Sequence, residues 1–399
     1  MASMRAAAKH PLIFLMAGEP SGDALGARLM AALKRETNGE VRFAGIGGTL
    51  MTAEGLRSEF PMEELSIMGL AEVLPRVPRV LRRIRETAAR IKLLRPSAVV
   101  SIDATGFCFR VERRVGHLGI PLIHYVAPMV WAWRPWNARI IAGFLDHMMT
   151  LLPFEPPYFE RVGLHATFVG HPVLEEGADR GDGPGFRARH GIAGDLPLLA
   201  VLPGSRRAEV RRLMPIFAET LARLKAEFPE LRVVVATVPT VAAEVTDAAA
   251  RWPVPAIVLR DRVEKYDAFA AADAALAASG TVALELALAG TPMVIAYKVN
   301  FVTAALLRLF LMRVRFANLI NLMLDRALIP ELLQFRCRPD RLAEAVGRLL
   351  RDPAAGAAQI AATAPVLRQL GREGPAPSTR AARTVLGVIA GATRRADLS

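Results

Sequence analysis

Four short motifs put polar, glycine-flanked residues where a strand should give way to a helix, and each could bind an anion or move a proton. Ala17-Gly18-Glu19-Pro20-Ser21-Gly22-Asp23 follows the first apolar run. Its two glycines permit a tight turn, and Ser21 or Asp23 can cap the next helix. Such a loop also offers backbone N–H groups to an anion or a sugar hydroxyl, although it does not fit the G-x-G-x-x-G dinucleotide fingerprint. Ser101-Ile102-Asp103-Ala104 sets a carboxylate at the carboxyl end of a strand. A general base taking a proton from an attacking hydroxyl belongs there, and so does an Asp that merely caps the next helix. Leu202-Pro203-Gly204-Ser205-Arg206, with Glu209 after it, joins a freed backbone to a hydroxyl and a guanidinium that can hold a phosphate. Ser279-Gly280-Thr281-Val282-Ala283-Leu284-Glu285 opens a helix whose amino-terminal N–H groups and dipole suit a diphosphate. Glu285, one turn further in, can accept from ribose hydroxyls. Singly, each of the last two is explained at least as well by a capped helix start; two in one half of the chain are not.

Other residues point less sharply. Trp131-Ala132-Trp133-Arg134 follows His124-Tyr125-Val126-Ala127-Pro128 and suggests a cleft contact or plain packing. Gly170-His171-Pro172 is a hinge or a turn. The seven histidines form no HxH or HExxH pattern and no two aspartates stand one residue apart, so a metal-bridged diphosphate site has no support in the sequence. Cys108 and Cys337 are too few for a disulfide framework or a metal cage, which fits a reducing cytoplasm.

The elements that must position these residues alternate regularly. Strands are expected at Leu12–Ala17, Val41–Ile46, Ala98–Ile102, Leu122–Val126 and His147–Leu151, with helices at Asp23–Lys34 and Val77–Leu94. Glu175–Pro197, rich in Gly, Asp and Pro, reads as a linker or exposed connection. The pattern restarts with strands at Leu198–Leu202, Val233–Thr237, Ala256–Leu259, Ala274–Ala278 and Met293–Tyr297, and helices near Val210–Phe228, Val263–Ala271 and Thr281–Ala289. Such alternation implies α/β architecture: two Rossmann-like parallel-sheet domains facing across a cleft, with ligands at the carboxyl ends of the strands. The expected divisions are 1–175, 176–370 and a helical tail, 371–399, that can pack on the N-terminal domain.

At 399 residues, with 52% hydrophobic and 6% aromatic content, the chain can bury two such cores. The apolar tract Ala268–Tyr297 is broken by Asp273, Gly280, Glu285, Gly290 and Pro292, so no transmembrane span is expected, and Pro11–Ala17 is too short for a signal core. The net charge of +13 favours an anionic partner: nucleic acid, a phospholipid surface or a phosphorylated substrate. Two basic amphipathic stretches, Arg76–Arg95 and Phe301–Phe316, can each lie in a bilayer interface or simply cover a sheet. They match no nucleic-acid module, so no nucleic-acid partner is expected.

In order and spacing these motifs resemble the lipid-A-disaccharide synthase family. The resemblance rests on Ala17–Asp23, Met68-Gly69, Ile102-Asp103-Ala104, Tyr125–Trp133, Gly170-His171-Pro172, Leu202–Arg206 with Glu209, Ser279–Glu285, and Asn321-Leu322 before Glu331-Leu332-Leu333-Gln334. It implies a metal-independent, cofactor-free, inverting glycosyltransferase of the GT-B type. The implied donor is UDP-2,3-diacylglucosamine and the acceptor 2,3-diacylglucosamine 1-phosphate, giving a β-1,6 disaccharide and UDP. Asp103 would be the base on the acceptor 6-hydroxyl. Gly204, Ser205 and Arg206 would hold UDP with Ser279, Gly280 and Thr281, and Glu285 would hold the ribose. Gly18, Glu19, Ser21, Gly22, Met68, Trp133 and Asn321 would line the substrate site. Peripheral attachment to an anionic inner-membrane surface is also implied, and a homodimer is possible.

The chain departs from the family after Asp103, reading Ala104-Thr105-Gly106-Phe107-Cys108 where Ala-Pro-Asp-Phe-Asn is usual, so a second carboxylate is missing. Ala127 stands for a usual Ser and Ile320 for a usual Pro. The alternatives are another GT-B transferase or a UDP-sugar epimerase, and a non-catalytic protein that binds nucleotide or membrane.

Overall fold

The computed structural model describes residues 10–65, 70–132, 135–260, 262–299 and 315–396. Its strands sort into two parallel six-stranded sheets. The first contains β1 (Leu12–Ala17), β2 (Arg42–Ile46), β3 (Ala98–Ile102), β4 (Leu122–Tyr125), β5 (His147–Thr150) and β6 (His165–Phe168), in the order β2-β1-β3-β4-β5-β6. The second contains β7 (Leu198–Leu202), β8 (Arg232–Ala236), β9 (Ala256–Leu259), β10 (Ala274–Ala278), β11 (Met293–Tyr297) and β12 (Glu331–Leu333), in the order β12-β11-β10-β7-β8-β9. β6 and β12 are absent from the expected set. Both are edge strands whose residues are half-buried or exposed, so neither has the apolar run that marks a strand buried on both faces.

The first sheet is covered on both sides, and β1 shows why its run is continuous. Ile13, Leu15 and Ala17 pack with Leu29, Met30 and Leu33 of α1 (Pro20–Glu36). Phe14 and Met16 pack on the opposite face with Ile84 and Ile91 of α3 (Leu70–Leu94) and Val111 of α4 (Thr105–Val115). Alternate side chains therefore serve two apolar layers. Leu199, Val201, Val233 and Leu276 of the second sheet pack against Leu213 and Phe217 of the helix Arg207–Glu227 and Leu342 and Val346 of the helix Pro339–Arg351.

Register brings the motif residues to one edge of each sheet. Ala17 pairs with Ile102, and Ile102 with Tyr125, so Gly18, Asp103 and Val126 leave the first sheet side by side. In the second, Leu202 pairs with Ala277 and Ala278 with Ala296, so the Gly204 and Ser279 loops leave from a common edge.

One compact unit comprises the chain up to Pro172 and the return from Leu370 onward; the other is Val173–Gln369. The crossing points are tied together within the first unit. His171 N–H donates to the Leu370 carbonyl (3.1 Å), and Arg380 Nη2 donates to the Gly371 carbonyl (2.7 Å). Gly170 and Gly371 both have positive φ and lie against Arg380, where any Cβ would collide with its guanidinium. Gly170-His171-Pro172 is thus a fastened exit. The C-terminal helix Pro377–Ala396 then buries Ala381, Ala382 and Val385 against α1, and Arg383 pairs with Glu36 at 2.9 Å.

The capping expectation for Ser21 and Asp23 is corrected. α1 starts at Pro20 with Glu19 as N-cap and no side-chain cap hydrogen bond. Asp23, buried inside that helix, accepts instead from Gly48 N (2.8 Å), Leu50 N (3.0 Å) and Met51 N (3.0 Å), the amino end of α2 (Thr49–Ala53). Gly48 must lack a side chain, since a Cβ there would lie 2.6 Å from the carboxylate. We expect Asp23→Ala to leave these donors stranded and cost about 3 kcal/mol in urea unfolding, with Asp23→Asn losing less; equal losses for both would show that packing, not hydrogen bonding, sets the site.

Candidate active site

Asp103 stands just past the end of β3, half-buried, in the left-handed region with Ala104 (φ 52° and 43°). Its N–H donates to the Tyr125 carbonyl (2.9 Å), extending the ladder one step beyond the strand. The chain then reverses into α4, whose first turn closes by Phe107 and Cys108 N–H bonds to the Ala104 carbonyl, both 3.0 Å. Gly18 permits this geometry, because a Cβ at that position would meet Ala104 Cβ at 2.8 Å. At the next strand end Val126, β-branched, also has positive φ (82°). Strain of this kind at adjoining strand ends persists only where the surrounding structure over-determines it, and it concentrates at functional sites.

A cavity of about 450 Å³ opens on Asp103. Val77, Val80, Leu81 and Ile84 of α3 give it an apolar wall; Glu19, Asp103 and Arg110 supply its charges. Burial raises the Asp103 carboxyl above the ordinary Asp range, and an Ala104 backbone hydrogen bond partly opposes this. The result is a more basic carboxylate facing a half-apolar space.

Behind Asp103 lies a polar network that the sequence did not suggest. Ser101 Oγ is 2.5 Å from Glu112 Oε1 and 2.6 Å from His124 Nδ1, with all three side chains fully buried. One hydroxyl proton cannot serve both neighbours, so one of them must contribute its own. Burial pushes Glu112 up to about 8 and His124 down to about 3, so both are neutral at pH 7. Ser101 donates its hydroxyl to Glu112 Oε1, so the proton of the His124 contact comes from Nδ1. Glu112 Oε2 and His124 Nε2 have no hydrogen-bond partner among the described residues. Cys108 is buried beside this network, its Sγ 4.0 Å from the Met16 carbonyl, and burial with the Glu112 and Asp103 charges raises its thiol. It is unsuited to act as a nucleophile.

Trp131 belongs to a loop clamp. Glu155 accepts from Trp131 Nε1 (3.1 Å), Leu151 N (3.2 Å) and Leu152 N (3.0 Å), and burial raises its carboxyl to about 7. Met68 and Trp133 lie outside the described residues, as does all of Phe301–Phe316 except its last two residues.

In the second unit, Gly204 has φ 102°, and a Cβ there would meet Glu209 Oε2 at 2.7 Å. Ser205 is exposed, and Arg206, the N-cap of the helix Arg207–Glu227, is 75% exposed with Nη1 3.4 Å from Glu209 Oε1. Gly280 and Thr281 are exposed at the start of the helix Val282–Ala289, with open space around Gly280. Tyr297 ends β11 near Glu209 and Arg206; burial and Glu209 raise its phenol.

Four expected contacts change character. Gly22 is buried against Ile102 and Ala17, while Ser21 stays exposed. Ser279 donates its hydroxyl to the Ala317 carbonyl and its N–H to the Ala296 carbonyl, both at 3.2 Å, so neither donor is left for a diphosphate. Glu285 is buried and accepts from Lys265 Nζ (2.6 Å), a partner hidden in an unremarkable helix. Asn321 is fully buried; its amide serves Leu328 N, Ile329 N, the Ile329 carbonyl and Glu331 at 2.7–3.0 Å, so it shapes a loop and has no hydrogen-bonding capacity left for substrate. No group of three or more His, Cys, Asp or Glu side chains placed to hold a metal occurs among the described residues.

Comparison with known proteins bears on family and fold. A family model described as lipid-A-disaccharide synthetase matches residues 13–375. A lipid-A-disaccharide synthase of Rhodospirillum centenum is 60% identical, with 96% of this chain and 95% of the relative aligned. One of Paramagnetospirillum magneticum is 55% identical over 95% and 97%. Among solved structures, a UDP-GlcNAc 2-epimerase of Neisseria meningitidis bound to UDP-GlcNAc superposes with a TM-score of 0.59 at 11% identity, covering 94% of this chain and 98% of that one. The glycotransferase of kitacinnamycin gives 0.63 at 16%, covering 96% and 100%. These structures share the two-sheet GT-B fold, and the sequence matches separate this chain from the epimerases.

The neutral Glu112 has a thermodynamic signature. Its proton stays bound in the fold up to about pH 8 but leaves the unfolded chain near 4.5, so its contribution to stability, full in acid, is lost as pH rises through that window. Glu112→Gln should therefore gain on the parent by about 1 kcal/mol per pH unit between those values in denaturant unfolding. A pH-independent difference would mean that Glu112 is ionised in the fold.

Proposed function

We infer the chemistry of this chain from its kinship: it belongs to the lipid-A-disaccharide synthase family and is a glycosyltransferase of the GT-B fold. We propose that the donor is UDP-2,3-diacylglucosamine and the acceptor 2,3-diacylglucosamine 1-phosphate. The observation that carries the proposal is the position of Asp103, a carboxylate made more basic by burial at the mouth of a half-apolar cavity.

Asp103 takes the proton from the acceptor hydroxyl as that oxygen attacks the anomeric carbon. The α3 wall of the cavity suits the start of an acyl chain, and Glu19 lies where it can orient the sugar. On the second unit, Arg206 and the N–H groups at Gly280–Val282 stabilise the charge that builds on the departing UDP diphosphate. Gly204 keeps the backbone open there, and Glu285, held by Lys265, presents its carboxylate to the ribose. In this reading the first unit activates the acceptor and the second holds the donor.

Membrane association is the second part of the proposal. Val77 and Leu81 of α3 are 40% and 39% exposed, with Arg79, Arg82 and Arg85 beside them in sequence. Such a surface suits an anionic interface. Among the described residues no helix is long and apolar enough to cross a membrane. Co-sedimentation with vesicles containing phosphatidylglycerol should fall as salt rises; equal binding to neutral vesicles at all salt concentrations would exclude the electrostatic part.

Incubation with both acylated substrates, read by mass spectrometry for the disaccharide, tests the reaction itself. Asp103→Ala should lower kcat by about a thousandfold or more while UDP still binds, and Arg206→Ala should weaken UDP in calorimetry. Near-parental turnover by the first variant, or unchanged UDP affinity in the second, would remove the assigned role. Because the base acts ionised, the acid limb of kcat/KM should lie above the ordinary carboxylate range, reflecting the direction of the Asp103 shift.

A further inference from the structure

The charges around the Asp103 cavity do not match the needs of a general base alone. Two carboxylates, Glu19 and Asp103, and one guanidinium, Arg110, line it, and the rest of the described lining is apolar or backbone-rich. A phosphate entering such a space meets repulsion from both acids unless the arginine faces it.

Arg110 is arranged to do so. It lies one turn beyond Gly106 on the same face of α4, and its Nη1 donates to the Gly106 carbonyl, which folds the side chain back toward the amino end of the helix, where Asp103 lies. That bond uses one of five guanidinium N–H donors, and among the described residues no carboxylate pairs with Arg110. On α3, Arg83 is paired with Glu64 and Glu86, and Arg90 with Glu59. Gly106 keeps the guanidinium accessible. A Cβ built at Gly106 has only Arg110 Nη1 within 4 Å, at 3.8 Å, so any acid at position 106 would project beside the charge and quench it. The absence of a second carboxylate after Asp103 therefore has a physical consequence: the cavity keeps a cation that is free to pair with a ligand.

We propose that Arg110 binds a phosphomonoester of the acceptor and sets the preference of this chain for phosphorylated over dephosphorylated acceptors. The inference rests on the acceptor reading given above and adds the residue that recognises the charge. The planar fork fits two phosphate oxygens, and holding the phosphate at Arg110 while the hydroxyl sits at Asp103 fixes the sugar at both ends.

Steady-state kinetics of the full chain, with saturating UDP-diacylglucosamine, should compare diacylglucosamine 1-phosphate with the same sugar lacking phosphate. Arg110→Gln should lose roughly tenfold to a hundredfold in kcat/KM for the phosphorylated acceptor, mostly through KM, and little for the other. Arg110→Lys should recover part of the loss, because a point charge replaces the fork. Gly106→Asp, with Arg110 intact, should raise KM for the phosphorylated acceptor alone. Arg110 is exposed, so the variants should keep the parental unfolding midpoint. An active parent whose Arg110→Gln variant keeps its phosphate preference would overturn the assignment alone. A parent that forms no disaccharide from either acceptor would overturn the acceptor reading, and this assignment with it.

Discussion

The Asp103 N–H bonds to the Tyr125 carbonyl after β3 has ended, and the geometry of the first unit's site depends on that one extension of the ladder. It holds two successive residues in the left-handed region, turns the chain into α4 and leaves the carboxylate at the sheet edge. Nothing bulkier than glycine fits at position 18 beside that turn, so the first loop and the Asp103 turn are one packed object. Parallel sheets end all their strands at one edge, which is why Gly18, Asp103 and Val126 emerge together.

Support for the turn comes from within the sheet and from α4. Ser101 bridges Glu112 and His124 directly behind it, linking β3 to α4 and β4. Three polar side chains in an apolar layer cost stability, and two atoms of the network have no hydrogen-bond partner among the described residues. Native folds keep such arrangements where specificity of geometry matters. Glu155 plays the corresponding part for the Trp131 loop, satisfying three N–H donors with one carboxylate. The strand ends of the second unit lead into loops that carry Gly204 and Gly280. Its anion loops depend on glycine backbone and exposed helix starts, a design suited to a charged nucleotide that brings its own binding energy.

Much of this was legible from residue order. The buried strands were, because a strand covered on both faces must be apolar throughout, and the four loops were, because glycine, hydroxyl and acid residues cluster where strands give way to helices. β6 (His-Ala-Thr-Phe) and β12 (Glu-Leu-Leu) were not, since these short edge strands lack the apolar run that the edge strands β2 and β9 keep. Asp23 looks like a helix cap in sequence and Asn321 like a site residue, yet each satisfies backbone groups of a loop that only the fold brings near.

The sequence by itself determined the α/β class and the two-sheet organisation, because these follow from short-range periodicity and local turn chemistry, and the order of its motifs carried the resemblance to the family. Only the tertiary structure decided which acids are free and which are spent. Asp23 serves α2, Glu285 is paired with Lys265, Glu112 is neutral, and Arg110 shares a cavity with Asp103. A side chain's charge and reach are set by partners that can lie 20 or more residues away, as Lys265 does from Glu285, and by how much water the packing excludes; neither quantity is written in the local sequence.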